Sequence, residues 1–285
     1  MTVLLCLRPF RRCVFLTGIA FLVGAGIPSP LHAQRADSIQ AGGDRRFLRP
    51  RELAVLGVGL AASGALSLAD LRIAHWDQSS SVQGASGRKR FFNDVTKVNE
   101  TTITLAGLAA YGIGRVTHAS ALTDIAKHTT ESVVLTSLIS QAIRGPLGRT
   151  RPYVTRDSNQ YDFHAFKGFT SFDNRAWPSL HSATAFAAGS ALVGEIRERH
   201  PEALSWAAPL IYAAAAMPGL SRMYLDQHWA SDVLAGDVLG AVLGSRLVHY
   251  AHSAPPGAGP RWLVNATVLP GAEGGLMLGL SMQPR

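Results

Sequence analysis

Six long stretches rich in Ala, Gly and Leu constrain this chain more than any other feature of its sequence. They cover residues 51–74, 100–117, 120–143, 179–199, 202–219 and 228–250. Each is too long for an ordinary strand and none alternates strictly between apolar and polar residues, so each is predicted to be a helix. Pro152, Pro178 and Pro201 stand at the joints, where a residue with fixed φ and no N–H is tolerated. Glu52 and Asp124 lie near the starts of the first and third stretches, where a carboxylate meets the positive end of a helix dipole. The expected fold is all-α, a six-helix bundle over residues 51–252. The tail, 253–285, alternates in part around a Gly-rich turn and is expected to form a short β-hairpin.

The chain has 285 residues, 47% of them hydrophobic, which is enough to bury a core without covalent staples. Both cysteines, Cys6 and Cys13, fall in the first 33 residues, so the remainder offers no disulfide and no thiolate metal site. That leader carries Arg8, Arg11 and Arg12 and no acid, followed by an apolar run over 13–27 and then "PSPLHA". The order is that of a secretory signal cleaved after Ala33. Its apolar run is shorter than the roughly 20 residues of a spanning helix, which favours a cleaved signal over a retained anchor. Export to the periplasm or cell envelope is therefore expected, with residues 34–50 as a polar linker.

Losing three arginines and no acid with the leader takes the formal charge from +8 to +5. A moderate positive excess suits an anionic substrate or an anionic membrane face, and no nucleic-acid partner is expected. Leu53–Ala69 and Ala203–Leu220 are uncharged runs of 17 and 18 residues. Both are marginal for crossing a bilayer, so length alone leaves membrane association open.

Three polar groupings interrupt the apolar pattern. The first is "SRMYLDQHWASD", residues 221–232, in which His228 and Asp232 stand four apart and share one helical face. Asp226 is expected to cap that helix, with His228 in its first turn. A carboxylate on one imidazole nitrogen fixes the tautomer and leaves the other nitrogen as a nucleophile or base. Taken alone, the pair reads more simply as a structural contact.

The second is "WPSLHSATAFA", residues 177–187, where Ser179 is a capping type and His181 falls in the first turn of a helix. Free N–H groups at such an end attract an anion, and a bound oxyanion favours the protonated imidazole. The third is "IRGPLGRTRPY", which sets Arg144, Arg149 and Arg151 around a Gly/Pro turn. Guanidinium forks match phosphate oxygens, although Arg149 reads more simply as part of a solvated basic turn. Between the last two lies an aromatic loop, 153–177, long enough to serve as a binding loop or a surface flap.

Together, two histidines, a carboxylate, several arginines and a helix start supply what metal-free phosphoryl transfer requires. The chain resembles the phosphatidic acid phosphatase type 2 and vanadium haloperoxidase superfamily, whose pattern is K-x6-RP, PSGH and SR-x5-H-x3-D. Here the elements read Arg144-x6-Arg151-Pro152, Pro178-Ser179-Leu180-His181 and Ser221-Arg222-x5-His228-x3-Asp232.

The resemblance implies a six-helix α fold and a phosphatase acting on a phosphorylated lipid or a small phosphate ester. It implies that His228 attacks phosphorus, that Asp232 orients it, and that His181 protonates the leaving group. Arg144, Arg151, Arg222, Ser179 and the backbone at Leu180 are implied to hold the phosphate oxygens, with no metal and no cofactor. Arg144 departs from the usual lysine and Leu180 from the usual glycine, which is expected to alter rate or selectivity.

Three other readings stand beside it. They are a vanadium-dependent haloperoxidase, a metal hydrolase built on the two histidines and Asp232, and a non-catalytic lipid-binding scaffold. The remaining histidines, at 75, 118, 128, 164, 200, 249 and 252, show no partner pattern and read as surface or structural.

Overall fold

The structure is a computed structural model that describes residues 47–84, 86–253, 266–270 and 276–280. The leader 1–33, most of the linker 34–50 and most of the tail therefore lie outside the described residues. The helices in chain order are α1 (Pro50–Leu66), α2 (Asp70–Asp77), α3 (Ser80–Gln83), α4 (Ser86–Val95), α5 (Glu100–Val116), α6 (Ser120–Leu147), α7 (Pro152–Thr155), α8 (Leu180–Arg199), α9 (Leu204–Tyr224) and α10 (Ala230–Ser253). The fold is all-α, and each of the six expected stretches carries one of the long helices. In the tail, β1 (Ala266–Pro270) pairs antiparallel with β2 (Leu276–Leu280), Ala266 opposite Leu280.

Local chemistry explains the helix ends. Asn99 accepts the N–H groups of Thr101 and Thr102, and its own N–H donates to Thr102 Oγ1, which closes a capping box at the start of α5. Glu52 accepts the Arg49 N–H at the start of α1. Asp124 differs from expectation: it sits one turn inside α6 and pairs with Arg199 at 2.8 Å. At the other end of α6, Gly148 takes a left-handed φ of 65°, and a Cβ there would collide with the His164 carbonyl. Its N–H returns to the Arg144 carbonyl at 3.2 Å, which turns the chain sharply after the first arginine.

Packing places α8 and α10 at the centre, with their longest interface against each other, and α6 beside both. Gly236, Gly240 and Gly244 recur every fourth residue on α10, and added side chains would strike the backbone of Ser179, Ala183 and Ala187 on α8. The two backbones touch directly because nothing larger than hydrogen intervenes. Outside this trio, α5 lies on α6, α9 on α8 and α1 on α10. The last pair runs antiparallel: Ser63 of α1 donates to the Ser231 carbonyl at one end, and Arg49 meets His249 at the other.

Burial follows this layering. From Leu180 to Ala191, α8 is buried at every position except His181. By contrast, α1, α5 and α9 show large aliphatic and aromatic side chains outward, with Val58 71% and Leu210 64% exposed. Pro50–Asp77 and Pro201–Tyr224 are long and apolar enough to cross a membrane, by length and composition.

Candidate active site

His228 is buried and lies two residues before α10 rather than within its first turn. Its Nδ1 faces Asp232 Oδ2 at 3.4 Å, while its buried Nε2 has no hydrogen-bond partner among the described residues. Asp232 uses the same oxygen to accept the Trp229 N–H at 2.8 Å, the reach-back half of a capping box. The expected cap at Asp226 is not formed. That residue adopts a left-handed φ of 59°, two positions upstream of His228, and its carboxyl hydrogen-bonds with Asp157 instead.

The other oxygen of Asp232 is held by Arg149 at 2.5 Å, and the same guanidinium reaches Asp70 Oδ2 at 2.8 Å and Ser231 Oγ at 2.8 Å. Arg149 is 2% exposed and lies over the rings of Phe163 and Trp229. Its reading as a solvated turn is therefore wrong: two buried carboxylates require a buried cation, and Arg149 supplies it. Asp70, from α2, also accepts the Ser231 N–H at 2.9 Å and so caps α10 from a different helix. A chain of polar contacts thus runs Asp70, Arg149, Asp232, His228.

The remaining arginines are buried or half-buried and braced from behind. Arg144 Nε and Nη2 donate to the Arg175 carbonyl at 3.0 and 2.6 Å. Arg151 Nε donates to the Phe172 carbonyl at 3.1 Å, and its guanidinium lies 3.9 Å from the centre of the Phe172 ring. Gln227 Oε1 accepts from Arg151 at 3.1 Å and from Arg222 at 2.9 Å, fixing the two relative to each other. Thus the aromatic loop 153–177 holds two arginines in place through its carbonyls, while Phe163, Phe166 and Phe169 remain exposed.

Ser179 occupies the N-cap position of α8, yet its hydroxyl makes no capping bond and is buried without a partner among the described residues. Its N–H donates to the Asp232 carbonyl at 2.9 Å, tying the start of α8 to the start of α10. Leu180 is buried as the first residue of α8. His181 follows, half-buried on an otherwise buried helix.

These groups lie close enough for their charges to act on one another. Burial, then the charges of Arg222, Arg151 and Arg144, push the His181 imidazole down to about 3. Burial again comes first for His228, followed by Arg151, Arg222, Arg144 and His181, and holds it well below the usual imidazole range. Arg151 is itself lowered to about 9, first by burial and then by Arg144 and Arg222. All eight residues singled out from the sequence, namely Arg144, Arg151, Ser179, Leu180, His181, Arg222, His228 and Asp232, fall at the ends of α6, α8, α9 and α10 or in the adjoining loops. Arg149, Asp70 and Gln227 complete the arrangement. Gln227 carried no signal, whereas Arg149 lay within the quoted turn.

An all-α bundle that presents two imidazoles to three guanidinium groups has the chemistry to bind an oxyanion. Residues 127–255 match the family model of the PAP2 superfamily. Similar curated proteins include the lipid A 1-phosphatase of Porphyromonas gingivalis, 39% identical over 69 residues, 24% of this chain and 15% of that protein. The lipid A 1-phosphatase of Rhizobium johnstonii is 32% identical over 112 residues, 39% of this chain and 41% of that protein. The chain thus spans less than half the length of these curated relatives. A crystal structure of a transmembrane PAP2-type phosphatidylglycerolphosphate phosphatase from Bacillus subtilis aligns with 68% of this chain and 97% of its own, at 18% identity and a TM-score of 0.35.

Proposed function

We propose that this chain is a phosphatase that hydrolyses phosphate esters or diphosphates borne by lipids, through a phosphohistidine at His228. One observation carries the reading: His228 has Nδ1 engaged by a buried carboxylate, and its Nε2, near three guanidiniums, has no hydrogen-bond partner among the described residues. The Nε2 lone pair forms the bond to phosphorus while the ester P–O bond breaks. Asp232 stabilises the positive charge that develops on the ring. Arg144, Arg151 and Arg222 neutralise the phosphoryl oxygens, and the Ser179 hydroxyl adds a donor beside them.

His181 hands its proton to the departing oxygen and then removes one from the water that attacks phosphohistidine, releasing phosphate and restoring His228. With three cations nearby the imidazole is neutral, and a phosphate dianion reverses that balance. Substrate binding thereby charges the acid that the reaction uses.

The lipid A 1-phosphatase relatives favour a lipid-borne phosphate, and the exposed apolar faces of α1 and α9 favour membrane association. The leader read from the sequence favours an exported site. Phosphate release from an aryl phosphate and from a lipid phosphate, by the parent and His228→Ala in detergent, tests the proposal. Turnover by the parent alone is expected; equal release from both proteins rejects it.

A further inference from the structure

At the opposite end of the inner helices, three side chains from three helices converge. His128 lies early in α6, Glu195 near the end of α8 and His252 near the end of α10. His128 Nδ1 is 2.5 Å from Glu195 Oε1, and His252 Nε2 is 3.0 Å from the same oxygen. One ligand atom from each of the three residues lies within 4.8 Å of the others. Along α8, Glu195 is fourteen residues from His181, about 21 Å at the helical rise, so this cluster is separate from the phosphate site. The reading of His128 and His252 as histidines without a partner pattern is thereby corrected. Their partner is 67 positions away from one and 57 from the other.

We infer that His128, Glu195 and His252 form a binding site for a divalent transition-metal ion of the zinc type, structural rather than catalytic. Two imidazole nitrogens and one carboxylate oxygen are a donor set that such ions prefer, whereas magnesium and calcium favour oxygen donors throughout. Arg199 occupies the other Glu195 oxygen, Oε2, at 3.0 Å and is itself held by Asp124 at 2.8 Å. This outer pair orients the carboxylate so that Oε1 faces both imidazoles, and Asp124 offsets the cation nearest the ion.

Zinc ligands at about 2.0–2.2 Å from the ion stand roughly 3.3 Å apart, so each of the two His–Glu contacts opens by less than about 1 Å to admit it. To bind the ion, each ring nitrogen facing Oε1 must offer a lone pair in place of a proton. The His252 side chain is 29% exposed on the last turn of α10, which gives the ion a path from solvent and a position for water.

The test uses the full, untagged chain, stripped of metal with a chelator and titrated with Zn2+ alone by calorimetry. One ion per chain is expected, with a rise in Tm that the chelator reverses and that Mg2+ does not reproduce. His252→Ala and Glu195→Gln are expected to bind Zn2+ at least roughly tenfold more weakly and to lose that rise. Aryl phosphate turnover is expected to survive both chelation and His252→Ala, which keeps this inference independent of the phosphatase reading. Co2+ added to the parent is expected to give visible bands of a site with nitrogen ligands. No Zn2+ binding, binding equal in parent and variants, or colourless Co2+ in the parent should the variants not fold, each overturns the site.

Discussion

Helix α8 is polar where it is buried, and helix α1 is apolar where it is exposed. Ser182, Thr184 and Ser190 lie fully inside, among alanines and glycines, while Leu53, Val58 and Leu60 face outward. A bundle surrounded by water normally reverses this order. The inner helix is built for close approach, since small side chains let α8, α10 and α6 come near enough for one site to draw on all three. The outer helix is built for its surroundings, and its composition fits the proposed contact with lipid.

The strongest way to sharpen this contrast is to change an inner residue that has a chemical role. His228→Ala is expected to lower phosphate release by roughly 10⁴-fold or more, the scale seen when a nucleophile is removed, while the melting temperature stays near that of the parent. Next comes Arg149→Met, which leaves Asp70 and Asp232 buried without a cation. A loss of roughly 3–5 kcal/mol in unfolding free energy is expected from denaturant titration. Stability within error of the parent would show that the buried relay is not a structural element.

Gly240→Val drives a side chain into the α8 backbone and is expected to destabilise the protein by roughly 3 kcal/mol. The same loss measured for an outward position would erase the distinction between the two layers.

Acid provides a milder probe of the interior. An unfolded histidine titrates near 6.5, whereas native His181 titrates at about 3. Above 6.5 both states are neutral and pH has no effect through this residue. As pH falls below 6.5 the unfolded chain takes up a proton that the native site refuses, so stability declines by about 1.4 kcal/mol per pH unit until the native ring titrates as well. Melting curves of His181→Gln are expected to be flatter over that window. The smallest effect belongs outside: Leu210→Ser is expected to change stability in detergent by no more than about 0.5 kcal/mol.

The long helices were legible because their apolar runs are long and their joints carry proline. The proposed phosphate site is legible because its groups keep fixed spacings, such as His228 and Asp232, and these survive as text. What escaped notice depends on contacts between distant positions. Asp70 meets Arg149 across 79 residues, and nothing local to either says so. Arg149 was undervalued because a basic residue beside Gly and Thr looks solvated until its two carboxylates are located. Asp226 misled in the opposite sense: a capping residue type stood at a plausible distance, yet Asp232 and Asp70 satisfy the start of α10 from elsewhere.

The glycine seam between α8 and α10 has one more consequence. His181 rides on one helix and His228 precedes the other, and their backbones meet with no intervening side chain to flex or be exchanged. The spacing between the proposed acid and the proposed nucleophile is thus a fixed gauge rather than an adjustable one.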